Sequence, residues 1–419
     1  MIKNIYRNFD NSKKWISYDW ANSVFATSVA SAFFPIMLRN YWAKGLPSED
    51  VTLYLGLASS ITAAFLTISL PFLGHAIDQI IKKPQRALFL TALIGGGFTS
   101  SLFFIKENSP LTALVIYIIS FIFFAFGNTQ CDGMLLKILK KPSHEELNSL
   151  SSKGYLFGYL GGGTLLLLQS LTLVFHKSLG FSSPLLPAKL CFLTAGIWWI
   201  LFSLPVLSIK NLNTQKVIPE NFFKNSWEFL KHLDKNTLFF LAGFFLYIDV
   251  VFTMYKMAVD FGLSMGISQN SLIMVLIYVQ IIGVPGTLFM NWVAKKYKTQ
   301  SAIYLGIFCY AVVVTASPFV KTVYSFTFLA TFIGIAQGGL QALSRSHFAT
   351  LIDKSKQGIS FGFLNVFGKL SAILGPLVVG VAAKVLKGNT YSVLALLPFL
   401  LFSTLFTYLS FKKNPSSRC

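Results

Sequence analysis

Long apolar runs, bounded by charge, Pro or Gly, are the feature that most constrains what this chain can become. Twelve of them follow one another, near residues 16–38, 52–73, 87–105, 111–136, 154–176, 187–209, 237–260, 269–293, 301–320, 322–343, 359–384 and 391–411. A helix of about 20 apolar residues crosses a ~30 Å hydrocarbon core. Inside that core every backbone N–H and C=O must be paired within the protein, which leaves only helices and closed barrels. Barrel strands are ~10 residues long and alternate in polarity, whereas runs such as Leu111 to Phe126 are longer and do not alternate. The expected fold is therefore all-α and integral to a membrane, with twelve transmembrane helices. Composition agrees: only 12% of residues are charged, against about 25% in soluble domains, which excludes an ordinary soluble enzyme.

The net charge of +20, from 35 Lys and Arg against 15 Asp and Glu, would point to nucleic acid in a soluble protein. Its distribution points elsewhere. Roughly three in four of the Lys and Arg fall in the connections that share a side with the N-terminus, a bias that puts both termini in the cytoplasm. The charge is then a topogenic and lipid-facing feature, with membrane lipids and not nucleic acid as its partner. Lys3, Arg7, Lys13 and Lys14 precede the first run as in a signal peptide, but the polar Asp19-Trp-Ala-Asn-Ser23 interrupts it, so a retained first helix is expected. Cys131, Cys191, Cys309 and Cys419 show no ligand spacing, and the five histidines form no HExxH pattern. No metal, cofactor or catalytic residue is expected.

The longest connection, Lys210 to Asn236, separates six spans from six and mixes charge with Phe222, Phe223, Trp227 and Phe229. It reads as an amphipathic cytoplasmic linker, giving an N-terminal bundle over 1–209, a linker over 210–236 and a C-terminal bundle over 237–419. The halves resemble each other. Gly127-Asn-Thr-Gln130 recurs as Gly334-Ile-Ala-Gln337, Gly154-Tyr-Leu as Gly362-Phe-Leu, and Lys82-Lys83 as Lys295-Lys296, all at nearly one offset. Two parallel six-helix repeats follow, an architecture of transporters that rock two bundles about a central site.

Gly74-His-Ala-Ile-Asp78 with Lys82, Lys83 and Arg86 resembles the loop signature of the major facilitator superfamily, departing from it at Gln79. Tyr18-Asp-Trp-Ala-Asn-Ser23, Gly154-Tyr-Leu-Phe-Gly-Tyr-Leu-Gly-Gly-Gly163, Ala336-Gln-Gly-Gly-Leu-Gln-Ala-Leu-Ser-Arg-Ser346, Phe361-Gly-Phe and Gly375-Pro376 resemble the autophagy-type vacuole-effluxer branch of that superfamily, bacterial members included. The resemblance implies spans 1, 2, 4, 5, 7, 8, 10 and 11 around a cavity, and amino-acid efflux as the activity associated with fungal members. Val250 follows Asp249 where the branch usually has Gly, which implies a less kinked seventh helix.

Charge inside a bilayer costs about 2.5–3.5 kcal/mol on insertion scales, so intramembrane charges are functional candidates. Asp19, Asp132, Asp249, Lys256 and Lys369 lie inside spans. Asp249 stands ~18 Å into the seventh span and Lys369 ~15 Å into the eleventh, both near the midplane. They are expected to face one another, either as a proton and substrate site or as a structural ion pair. Asp19, Asn22 and Ser23 share a helical face that can line the inner mouth or pack a neighbour. Gln130 and Gln337, at repeat-related positions, can bind a zwitterion or bond between helices. Gly74, Asp78, Lys82 and Arg86 are expected to form a gating loop, with Arg345 as its counterpart in the other half. Gly154, Gly158 and Gly162 form a small-residue ridge for close packing.

These readings converge on a monomeric secondary transporter in a bacterial inner membrane, moving a small polar solute such as an amino acid by alternating access, with protons as candidate coupling ion. Two rivals remain open at this point. One is efflux of an amphipathic metabolite or drug, suited to the 42 Phe. The other is a non-transporting receptor or assembly protein on the same fold.

Overall fold

A computed structural model describes residues 10–80, 83–138, 144–210, 231, 233–351, 368 and 370–412. Among these residues there is no strand, and twelve helices follow in order. We label them α1 (Asn11–Val24, continued by π-helical and short α segments to Trp42), α2 (Ser48–Ile80), α3 (Pro84–Ser101), α4 (Pro110–Ile138), α5 (His144–Val174) and α6 (Leu185–Ser203). The second half holds α7 (Lys235–Ser264), α8 (Gln269–Tyr297), α9 (Thr299–Ala316), α10 (Val323–Leu351), α11 (Leu374–Val385) and α12 (Leu397–Phe411). All but α11 are long and apolar enough to cross a membrane. Many large apolar side chains point outward, among them Ile68, Phe104, Phe319 and Leu401, as expected of a surface solvated by lipid tails. The chain is a multi-pass integral membrane protein.

The contacts separate two compact units, Met1–Gly45 with Ile68–Ile218, and Leu46–Thr67 with Pro219–Cys419. The second helix is therefore divided: its first part belongs to one unit and its last part to the other. In the first unit α1 packs on α5 and α6, and α3 on α4 and α6. In the second, α7 packs on α12, and α9 on α10 and α12, so the pairings 1·6, 3·4 and 3·6 recur as 7·12, 9·10 and 9·12. The internal repeat seen in the sequence is thus a repeat of helix packing.

The core of the first unit is aromatic. Phe34 stacks on Tyr117 with ring centroids 3.9 Å apart, and Trp42 lies 5.4 Å from Phe192. The α5 glycines let α1 approach closely. A Cβ at Gly161 would stand 2.4 Å from the Trp20 carbonyl oxygen, and one at Gly158 2.6 Å from Ser23 Oγ. Of the expected ridge of Gly154, Gly158 and Gly162, all three face this helix: a Cβ would meet Asp19 at the first, Ser23 at the second and Thr27 at the third.

Three expectations are corrected. Gly74 and Asp78 are not in a loop, because α2 continues to Ile80. A single helical Gly costs only about 1 kcal/mol relative to Ala, too little to end a helix this apolar. Pro84 then starts α3, after an extended Lys83 at φ −126°, the conformation a following Pro favours. Arg345 likewise lies within α10 and not beyond it, since that helix runs to Leu351. The eleventh span is not one unbroken helix over 359–384, because the chain turns at 372–373 and α11 starts at Leu374. Pro376 in its first turn has no N–H to continue a helix from the preceding turn. The linker over 210–236 lies almost wholly outside the described residues.

Candidate functional site

The break before α11 is where the chemistry of the second unit collects. A helix that starts within a membrane leaves its first N–H groups without partners, and lipid cannot supply them. Asp249 of α7 does: its Oδ2 accepts the Gly375 N–H at 2.8 Å. The carboxylate caps α11 from another helix, where the positive end of the helix dipole favours an anion. The carbonyl released at the break is also met, by Ser60 Oγ donating to the Ile373 oxygen at 2.7 Å.

Asp249 is fully buried, and its second oxygen, Oδ1, has no hydrogen-bond partner. Thr253, one turn on, donates its hydroxyl to the Asp249 carbonyl at 2.7 Å. Gly375 is required here. A Cβ on it would stand 2.1 Å from Thr253 Oγ1 and 2.8 Å from Asp249 Oδ1, so the two oxygens converge on the space a side chain would fill.

The polar face of α7 continues toward its Ser264 end. Lys256 lies two turns past Asp249, is 5% exposed, and its charge acts on the Asp249 carboxylate. Asp260, one turn further, is 1% exposed and accepts the Thr52 hydroxyl of α2 at 2.5 Å. Asp249, Thr253, Lys256 and Asp260 follow at steps of four, three and four, which places them on one side of the helix. Beyond them, Asn389 Nδ2 donates to Ser48 Oγ at 2.9 Å, and Lys384 pairs with Asp50. Tyr247 turns away from this face and hydrogen-bonds Ser344 of α10 at 2.7 Å.

The polar residues of the first unit divide among several neighbours. Asn22 donates to the Asn128 side chain on α4. Asp19 lies against Gly154 of α5, where a Cβ would come within 2.3 Å of its Oδ2, and Ser23 lies against Gly158. The face read as one surface thus serves two helix contacts. Trp15 Nε1 donates to the Cys131 carbonyl at 2.8 Å, and the Asp132 charge acts on Asp19. Gln130 is half-buried with both amide atoms unpartnered, and Gln337 is half-buried on α10. The Gln169 carbonyl oxygen accepts the Ser28 hydroxyl, and its amide donates to the Cys191 carbonyl and to Thr194, both at 2.9 Å.

Of the residues expected to form a site, the structure brings Asp249 and Lys256 onto one face and keeps Asp19, Asn22 and Gln130 in the other unit. Lys369 and Lys82 lie outside the described residues, so the expected meeting of Asp249 with Lys369 does too. Arg86 is exposed near the start of α3, and Arg345 is half-buried. Asp260 and Gly375 were missed as site residues. The signal for Asp260 was its position four residues after Lys256, the spacing at which helical side chains meet.

The family described as vacuole effluxer Atg22 like matches residues 48–414. The chain belongs to this family. It is 31% identical over 401 residues to an uncharacterized MFS-type transporter, YxiO, of Bacillus subtilis strain 168, covering 91% of this chain and 90% of that protein. It is 23% identical over 461 residues to autophagy-related protein 22 of Eremothecium gossypii, covering 93% and 88%. Among solved structures it is similar to a bacterial homologue of the human lysosomal transporter Spinster in an inward-facing, unoccupied conformation, at TM-score 0.70 and 14% identity over 97% of both chains. A D-xylose–proton symporter matches at TM-score 0.65 and 14% identity, over 97% of this chain and 98% of that one. The fold is that of the major facilitator superfamily, and the family is one of transporters, not enzymes.

Proposed function

We propose that the chain is a secondary transporter that moves a small zwitterion, an amino acid or a close relative, by alternating access and with proton coupling at Asp249. The observation that carries this reading is the junction of α7 and α11. A zwitterion needs an anion-favouring site and a cation-favouring site close together. Asp249 Oδ2 already caps the anion-favouring start of α11, and its unpartnered Oδ1 offers the cation-favouring site or takes a proton, with Lys369 assigned to the substrate's anionic group. The membrane potential supplies about 2.3 kcal/mol per charge per 100 mV to a coupled cycle. In this reading Asn22, Gln130 and Gln337 serve as uncharged contacts, Lys369 as a counter-charge, and Gly74, Asp78, Lys82, Arg86 and Arg345 as gating positions. The charge bias of the connections supports cytoplasmic termini in a bacterial plasma membrane, with the protein acting as a monomer among lipids.

The test is thermal unfolding of the detergent-purified chain against amino acids, small peptides, sugars and nucleosides at acidic and neutral pH. A ligand at 100 times its Kd stabilises the folded state by about 2.7 kcal/mol. An amino-acid hit that depends on pH and disappears in Asp249→Asn is the expected result. A hit confined to amphipathic compounds, or one that Asp249→Asn leaves intact, overturns the proposal.

A further inference from the structure

The seventh helix carries more buried polar groups than a cap for α11 requires. Asp249, Thr253, Lys256 and Asp260 are 0%, 0%, 5% and 1% exposed, and they alternate acid, hydroxyl, base and acid along one side of α7. Neighbours at three or four residues on a helix have Cβ atoms about 5–6 Å apart, within reach of a Lys stem or one bridging water. The row has two anchored ends. Thr52 holds Asp260 at one, and the Gly375 N–H holds Asp249 at the other. A Cβ on Gly56 of α2 would stand 2.3 Å from the Pro376 oxygen, and one on Gly380 3.1 Å from Leu53 Cα, so α2 and α11, which hold the two ends of the row, meet backbone to backbone.

We propose that these four residues form a proton-transfer file, leading from the Ser264 end of α7 to the α7–α11 junction. The inference rests on the reading of Asp249 as the residue that takes the proton. The Lys256 ammonium gives a proton through the Thr253 hydroxyl to Asp249 Oδ1, the hydroxyl accepting one proton as it releases its own. The neutral Lys256 amine then takes a proton from the Asp260 carboxyl, which is refilled from the medium at its end of the helix. One proton moves from Asp260 to Asp249, and no other bond changes. Asp249 Oδ1 has no partner and lies with Thr253 Oγ1 beside Gly375, so the Thr253 hydroxyl reaches it by turning from the Asp249 carbonyl to which it now donates.

Several charged and titratable groups lie on the neighbouring elements among the described residues. The first turn of α2 carries Glu49 and Asp50, with Tyr54 one turn on, and Asp50 pairs with Lys384 of α11. Among the described residues α12 and α9 bring no charged group, and α8 brings Lys295 and Lys296 in its last turn. From α10 come Arg345 and His347, and the His347 ring packs on Phe240 and Phe411, nine residues before Asp249 along α7, or about 14 Å.

The experiment is time-resolved infrared spectroscopy of the full chain in lipid vesicles after a pH jump, following the C=O stretch of protonated carboxyl groups. Asp249→Asn identifies the Asp249 band. With Asp260→Asn or Lys256→Gln, the Asp249 band is expected to follow the jump about tenfold more slowly or worse, while its final amplitude is kept. Thr253→Val, which preserves shape and removes only the hydroxyl, gives the same slowing and covers the case in which a charge variant fails to fold. Wild-type kinetics in Thr253→Val, or in either folded charge variant, overturns the file. If no band in the wild type depends on Asp249, the proton-coupled reading itself fails. A band that titrates at an unchanged rate in the variants refutes the file alone.

Discussion

Replacing Gly375 with alanine tests the α7–α11 junction most directly. The added Cβ would stand 2.1 Å from Thr253 Oγ1 and 2.8 Å from Asp249 Oδ1, distances that packed carbon atoms do not reach, so α7 and α11 must move apart. Forcing one extra methyl into a packed interior costs about 1–3 kcal/mol. If the separation also breaks the 2.8 Å bond from the Gly375 N–H to Asp249, a hydrogen bond to a charged group is lost, worth about 1.5–3 kcal/mol. The expected destabilisation is therefore about 1–3 kcal/mol if that bond survives and about 2.5–6 kcal/mol if it breaks. It is read by denaturant or thermal unfolding in detergent, beside Gly163→Ala, where a Cβ meets nothing within 4 Å. The Gly163 change is expected to be neutral or slightly stabilising. A double variant, Gly375→Ala with Thr253→Ala, removes the oxygen nearest the new methyl and is expected to recover about 1 kcal/mol or more of the loss. Gly375→Ala as stable as wild type, or no recovery in the double variant, would refute the packing argument for this junction.

Three further predictions concern other parts of the molecule. Gly161→Ala, whose Cβ would come within 2.4 Å of the Trp20 carbonyl oxygen, should destabilise the first unit by about 1–3 kcal/mol, measured by unfolding in detergent. Gln169→Leu strands the Ser28 hydroxyl and should cost about 1–3 kcal/mol in the same assay. Lys44 donates to Glu107 at 2.8 Å on an exposed surface, and that hydrogen bond and charge raise its pKa above 10.5. A raised lysine pKa means that the pair's contribution is present at neutral pH and lost as pH rises through the folded-state value. An NMR titration of labelled Lys44 should show its midpoint fall in Glu107→Gln.

The number and order of helices were legible because hydrophobic length is set by the bilayer, and the described helix ends lie within several residues of the apolar runs. Asp249 and Lys256 were legible as buried polar positions for a related reason: a charge in the middle of an apolar run has to be sheltered within the protein. Asp260 was not, since a charge at the end of a run reads as its boundary, and only the three-dimensional contact with Thr52 shows that the boundary residue is buried. The apolar run over 359–384 reads as one continuous helix. The break and its cap from α7 depend on a partner 126 residues away, which no local pattern encodes. Gly74 and Asp78 read as a loop through the resemblance to a loop signature, while the helix end is set by the chain ahead of Pro84. The shared face of Asp19, Asn22 and Ser23 was real as helical geometry, but two different helices abut it.

The cap on α11 also bears on how the protein is made. The segment α11 has 12 residues, about 18 Å, and its first N–H groups have no place in lipid. When α11 leaves the ribosome, α7 has preceded it by more than a hundred residues and already holds the carboxylate that α11 needs. The late arrival docks onto an acceptor already installed, so the order of synthesis matches the order in which the contact can form. A chain in which α11 preceded α7 would have to park an open helix end in the bilayer until its partner was synthesised.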